Sequence, residues 1–190
     1  KVMFVANGVY AYALADGTEK WKCAEGPAYA SPVLATIDGV KQVVTLTSKK
    51  VVGVSAADGK LLWEIPFVPE GRAYNAATPI VDGSTVFFAG QGRGTKAVKI
   101  EKKGDAFAAS ELWSNPMAVA FSTPVLNDGM LYGGSDKGDL FCLDAKTGQT
   151  VWTHPAKLGG YAAMLDLGSA ILALPNNGEM VVFKPGKEYA

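Results

Sequence analysis

The chain has 190 residues, with 18 Lys plus Arg against 18 Asp plus Glu and a formal net charge of zero. A charge balance of this kind draws in neither nucleic acid nor an anionic membrane, both of which are recognised through a basic excess. No apolar run approaches the roughly 20 residues of a membrane-spanning helix, while a hydrophobic content of 48% is enough for a large buried core.

The first segment, KVMFVANG, reads as a short strand, with no charged-then-apolar leader in front of it. ALADGTEKW at 13–21 follows, and its grammar returns as SAADGKLLW at 55–63 and LDAKTGQTVW at 143–152. In all three copies four residues separate glycine from tryptophan: Gly17 to Trp21, Gly59 to Trp63 and Gly148 to Trp152. Trp113 ends a fourth copy, KKGDAFAASELW, whose turn at Gly104 has gained five residues. A second marker runs in phase: SPVLATIDG from Ser31, TPIVDG from Thr78 and TPVLNDG from Thr123, with prolines 47 and 45 residues apart. Repeats of this period signal a repeat architecture.

The second unit is the clearest. SPVLATI, KQVVTLT, KVVGVSA and KLLWEIPF are rich in Val, Leu, Ile and Thr, and DG, SK and ADG separate them. β-branched residues suit a pleated surface, and Asp-Gly supplies the positive φ of a tight hairpin, so the unit reads as a four-stranded antiparallel meander. The third unit repeats it with TPIVD, TVFFAGQ, TKAVKIE and FAASELW, and the fourth with TPVLN, MLYGG, DLFCLD and QTVW. The closing GEMVVFKPGKEYA reads as a third strand. No window carries the apolar spacing of an amphipathic helix. The expected fold is therefore an all-β propeller of four-stranded antiparallel blades: a partial blade at 1–27, blades at 28–73, 74–117 and 118–158, and a partial blade at 159–190. Trp21, Trp63, Trp113 and Trp152 are expected to wedge each blade against the next. A ring of seven or eight blades needs about 320–360 residues, so these four to five blades are expected to be part of a longer ring or to be completed by self-association.

These residues resemble the PQQ-like, quinoprotein-type β-propellers with tryptophan-docking repeats, over about residues 2–184. WD40 repeats would instead show Gly-His and Trp-Asp pairs, and neither occurs here. The resemblance implies one of two classes. Dehydrogenases of the superfamily hold pyrroloquinoline quinone and Ca²⁺ and carry a disulfide between adjacent cysteines. Non-catalytic members include secreted repeat proteins and the BamB-like lipoprotein subunit of the outer-membrane assembly machine. Cys23 and Cys142 are not adjacent, and no local group offers the six to eight oxygens that calcium takes. The expectation is thus a non-enzymatic, extracytoplasmic scaffold with a protein partner and no cofactor. The alternatives are the propeller portion of a dehydrogenase using PQQ and calcium, and a ligand-sensing propeller domain.

The connections between blades are EGPAYASP, PEGRAYNAATP, NPMAVAFSTP and AKLGGYAAM. Aligned on Pro32, Pro79, Pro124 and Met164, they place Tyr29, Ala76, Phe121 and Tyr161 in register. Three aromatics out of four either plug the axial channel or form a rim that anchors a partner. Arg72, Tyr74 and Asn75 depart from the other connections and are candidate partner contacts. His154 is the only histidine and lacks a catalytic companion. GQGRGTK at 90–96 lacks the Gly-Lys-Ser/Thr ending of a phosphate loop and reads as a flexible hairpin at the outer or lower edge. Both cysteines are expected to be unbridged and buried.

Overall fold

The computed structural model describes the backbone of residues 2–6 and, with side chains, residues 8–23 and 28–190. Five antiparallel sheets follow one another along the chain. The first contains β1 (Val2–Ala6), β2 (Val9–Ala13) and β3 (Glu19–Cys23). Three four-stranded meanders come next: β4 (Val33–Ile37) to β7 (Leu61–Pro66) with β5 (Val40–Leu46) and β6 (Lys50–Ser55) between them; β8 (Ile80–Asp82), β9 (Thr85–Gly90), β10 (Gly94–Lys103) and β11 (Ala106–Asn115); and β12 (Val125–Asn127), β13 (Met130–Gly134), β14 (Leu140–Asp144) and β15 (Thr150–His154). β16 (Ala162–Asp166), β17 (Ile171–Pro175) and β18 (Val181–Phe183) complete the series, and the described residues contain no helix.

The middle strands are apolar at consecutive positions because both of their faces are covered. Phe88 packs toward the second sheet with Val44, Leu46 and Trp63, whereas Phe87 packs toward the fourth with Leu131, Phe141 and Leu143. Successive side chains of a strand point to opposite faces, so one Phe-Phe pair serves two interfaces. The same division separates Val43 from Val44 and Leu131 from Tyr132. The second, third and fourth sheets are thereby each sealed between two neighbours, the radial order of a propeller.

Each tryptophan of an outer strand faces a small residue across the ladder: Ala11 opposite Trp21, Gly53 opposite Trp63, Ala97 opposite Trp113 and Cys142 opposite Trp152. The register slips immediately beyond each pair. The slip leaves the residue before the tryptophan unpaired, the two-against-one arrangement of a β-bulge. The constant glycine-to-tryptophan spacing therefore encodes a turn plus a bulge. Gly17, Gly59 and Gly148 hold φ of 72°, 76° and 73°, which glycine adopts without strain.

Trp21 and Trp113 are buried, and their indole N–H groups donate to Ala56 O (3.2 Å) and Ala145 O (2.9 Å) of the next sheet. Their rings lie on Gly59 and Gly148, where any side chain would overlap them. Half-buried Trp152 donates to Gly186 O at 3.1 Å. Trp63 departs from this pattern. The next turn, lengthened around Gly104, offers it no glycine platform, so buried Trp63 donates to the buried Gln42 Oε1 at 2.7 Å. Phe107 of the lengthened hairpin packs into that core instead.

The Ser/Thr-Pro marker also has a structural counterpart. Ser31 N–H donates to Thr78 Oγ1 (3.2 Å), and Thr78 N–H donates to Thr123 Oγ1 (2.9 Å). Each hydroxyl accepts from the same marker residue of the preceding sheet and so ties neighbouring connections together. Ala163 occupies the next marker position and has no hydroxyl; Ser122 Oγ accepts from Ala162 N–H there at 2.9 Å.

Candidate functional site

Strand parity decides which loops share a face. In a meander, the hairpin between second and third strands lies at the same end as the connection from the fourth strand to the next sheet. GQGRGTK, which joins β9 to β10, therefore stands beside the connections rather than at the outer or lower edge, a correction to the sequence expectation. Its Gln91 and Gly92 line an open cleft of about 500 Å³ together with Glu70, Arg72, Ala73, Tyr74, Phe121 and Tyr161.

Four aromatic rings run across this face. Tyr29 meets Tyr74 edge-on with centroids 5.2 Å apart, Tyr74 lies 6.4 Å from Phe121, and Phe121 lies 5.1 Å from Tyr161. All four are exposed: Tyr29 70%, Tyr74 50%, Phe121 44% and Tyr161 49%. Phe121 and Tyr161 also line a second cleft of about 460 Å³, together with Ser122, Thr123, Met164, Leu174 and Asn176. The alignment brought Tyr29, Phe121 and Tyr161 together but put Ala76 in the fourth place. Tyr74, two residues earlier, supplies the missing ring. The first part of the connection EGPAYASP, residues 25–27, lies outside the described residues.

Asn75 is not a surface contact. It is only 2% exposed, and its side-chain amide donates to Thr47 O (2.8 Å) and Phe67 O (2.9 Å). Its Oδ1 accepts from Arg93 Nη1 at 2.8 Å, and its main-chain oxygen accepts from Tyr29 N–H at 3.1 Å. A buried amide must satisfy its polar atoms internally, so Asn75 serves the backbone around the rim. Arg72 is exposed and lines the larger cleft.

Sequence reading missed Arg93. Its Nη1 also donates to Phe67 O at 3.1 Å, and its guanidinium carbon lies 4.0 Å above the Phe67 ring. Burial lowers its pKa, and Glu70 opposes that shift. Parity counting from the sequence would have found it, because that argument places residues 91–93 next to the connection.

Among the described residues the remaining reactive side chains do not converge. His154 ends β15 and stacks on Tyr189 at 3.8 Å between centroids. Neither cysteine is disulfide-bonded; Cys142 is buried as expected, but Cys23 is only half-buried. Burial pushes the Cys142 thiol up to about 11 and the neighbouring Tyr132 phenol up to about 12, so both stay protonated at neutral pH. Among the described residues no three His, Cys, Asp or Glu side chains gather to hold a metal.

The computationally designed protein Ika8 superposes with a TM-score of 0.68 at 15% identity, over 97% of this chain and 55% of that one. The β-propeller domain of Cps50 (Swd1) from Myceliophteria thermophila superposes at 0.65 and 17% identity, over 96% and 63%. BamB from Moraxella catarrhalis gives 0.52 at 15% identity, over 100% and 68%. The chain thus spans little more than half the length of Ika8, and likeness at these identities establishes the fold alone. No match was found among curated proteins. The family model described as outer membrane protein assembly factor BamB matches residues 1–154, most of the chain. With its repeated turn, bulge and tryptophan, and its Ser/Thr-Pro ladder, the chain belongs to that family of PQQ-like β-propellers.

Proposed function

We propose that the chain is a non-enzymatic, extracytoplasmic scaffold whose aromatic arc binds extended segments of a protein partner in outer-membrane protein assembly. The observation that carries this is the continuous exposed row Tyr29, Tyr74, Phe121 and Tyr161, with centroid steps of 5.2, 6.4 and 5.1 Å. Same-side residues of an extended chain are about 6.7 Å apart, so alternate side chains of a bound segment would meet successive rings and the clefts beside them. Tyrosine suits this role: the ring gives apolar area, the phenol bonds a free carbonyl, and few rotamers are lost. The rings sit on connections anchored at both ends by sheets, which limits the ordering cost of binding.

An array of short peptides tiled across an outer-membrane β-barrel protein and its assembly components tests this. Binding is expected to concentrate on apolar, aromatic-containing segments and to fall at least roughly tenfold when Phe121 and Tyr161 are both alanine, as for loss of two interface anchors. An array that stays blank, or binding indifferent to the double substitution, would overturn the reading.

We further propose that the chain self-associates through the outward face of its fifth sheet. Leu165, Leu174 and Val182 are exposed there. Val182 pairs with Leu172 as Cys142 pairs with Tyr132 and Ala97 with Phe87, and both Cys142 and Ala97 are buried against a following sheet. The fifth sheet therefore presents the surface on which the others receive a neighbour, here supplied by a second copy. Light scattering is expected to give a two-chain mass that Val182→Lys abolishes; a monomer at high concentration would exclude it.

A further inference from the structure

Residues 67–79 join β7 to β8, a longer connection than 24–32 or 116–124. It turns back on itself through Ala73 N–H to Glu70 O (3.0 Å), with Gly71 at φ 57°. The added length carries the aromatic ring two residues upstream of its repeat position, from Ala76 to Tyr74. A longer loop alone would let that ring wander, since each added residue brings backbone freedom. Something must hold residue 74 where a shorter loop would hold residue 76.

We propose that Arg93 and Asn75 are positioning residues that set Tyr74 into the aromatic row, restoring the ring that the repeat lost at Ala76. Asn75 ties the loop to both neighbours at once. Its amide bonds Thr47 O in the β5–β6 hairpin and Phe67 O at the end of β7, while its main-chain oxygen holds Tyr29 N–H. Two of the four rings, Tyr74 and Tyr29, are thus referred to one buried residue. Arg93 then closes the bracket from the β9–β10 hairpin. One nitrogen bonds both Asn75 Oδ1 (2.8 Å) and Phe67 O (3.1 Å), while the guanidinium plane rests on Phe67.

The arrangement is expensive for a merely structural tie. Arg93 Nη2 is buried without a hydrogen-bond partner among the described residues, and an unmet buried donor is unfavourable. A lysine ammonium could bond the same two acceptors but would lack the planar group that stacks on the Phe67 ring. Gly90 is part of the same device: a side chain there would overlap the Arg93 guanidinium and approach Phe67. The hairpin read in sequence as a flexible one thus has a specific task in shaping the rim.

The inference rests on reading the arc as a binding edge, and the test separates the two. In chain labelled with 3-fluorotyrosine, Tyr74 is assigned by Tyr74→Phe, and ring currents from Tyr29 and Phe121 displace its ¹⁹F resonance. Arg93→Met keeps the buried stem but removes every donor. It is expected to return the Tyr74 resonance to the position of unfolded chain while those of Tyr132 and Tyr189 stay in place, reporting an intact fold. Arg93→Lys is expected to retain part of the displacement. On the peptide array, Arg93→Met is expected to lose affinity to the same extent as Tyr74→Ala. A Tyr74 resonance that does not move in folded Arg93→Met would overturn the positioning role whatever the array shows. Peptide binding that ignores Tyr74→Ala would overturn the binding role of that ring and leave the spectroscopic result standing.

Discussion

Gly94→Ala is expected to destabilise the fold by roughly 3–4 kcal/mol, whereas Gly92→Ala, two residues away in the same hairpin, costs about 1–2. Both glycines hold φ of 71°, so left-handed strain is common to the two substitutions. They differ in what a methyl group would meet. At Gly92 nothing lies within 4 Å, so strain is the whole cost. At Gly94 the added carbon would overlap the carbonyl oxygen of Asn115 and crowd Pro116 Cα at 3.3 Å, and main chain cannot rotate away as a side chain can. Those residues are where the chain leaves β11 for the connection that carries Phe121, so Gly94→Ala is also expected to weaken peptide binding. Urea unfolding followed by tryptophan fluorescence measures both variants. Equal losses would show that φ alone governs the site and that the exit of β11 yields freely.

Trp63→Ala is expected to cost roughly 5 kcal/mol, at the upper end for removal of a large buried ring. The indole touches the core shared by the second and third sheets, and its N–H is the hydrogen-bond partner of Gln42 Oε1. Gln42 is fully buried, and its Nε2 already lacks a partner among the described residues. Without the indole, an entire buried amide is unsatisfied. Trp63→Phe isolates that part: most of the ring survives and the bond does not, for a loss of about 2 kcal/mol. Adding Gln42→Leu to Trp63→Phe should recover most of it, because removing both members of a buried pair is nearly neutral. Failure of the double variant to recover would mean that ring volume, and not the bond, dominates. Trp113→Phe provides the contrast, since its partner is the main-chain oxygen of half-buried Ala145.

Trp63 also shows how far a repeat can be read. The glycine-to-tryptophan spacing is the same for Trp21, Trp63 and Trp152 and differs for Trp113, yet it is Trp21 and Trp113 whose rings rest on a glycine of the next turn. The five residues inserted after Gly104 were visible in sequence, but their consequence falls on the preceding sheet. The turn that a tryptophan rests on belongs to the next repeat, some 35 residues ahead for Trp21. An insertion in one unit is therefore felt by its neighbour, and Gln42 and Phe107 compensate for it there.

Asn75 and Tyr74 teach the same lesson in the rim. Both were singled out because their connection departs from the others, and composition treats both as exposed polar-loop residues. They separate completely in three dimensions, one 2% and the other 50% exposed. Whether a loop asparagine faces solvent or bonds three partners depends on what the adjoining hairpins bring near, here a carbonyl 28 residues away and a guanidinium 18 residues away.

What the sequence determined by itself is whatever recurs. Strand number per unit, turn chemistry and the family follow from local periodicity and steric preference, which act over a few residues. Only the tertiary structure decided how the units correct one another's exceptions: Tyr74 standing in for Ala76, Gln42 for a missing glycine platform, and Arg93 reaching from a neighbouring hairpin to hold the loop. These contacts join side chains across different sheets, where packing and the pairing of buried polar groups select one partner among many that spacing along the chain leaves equivalent.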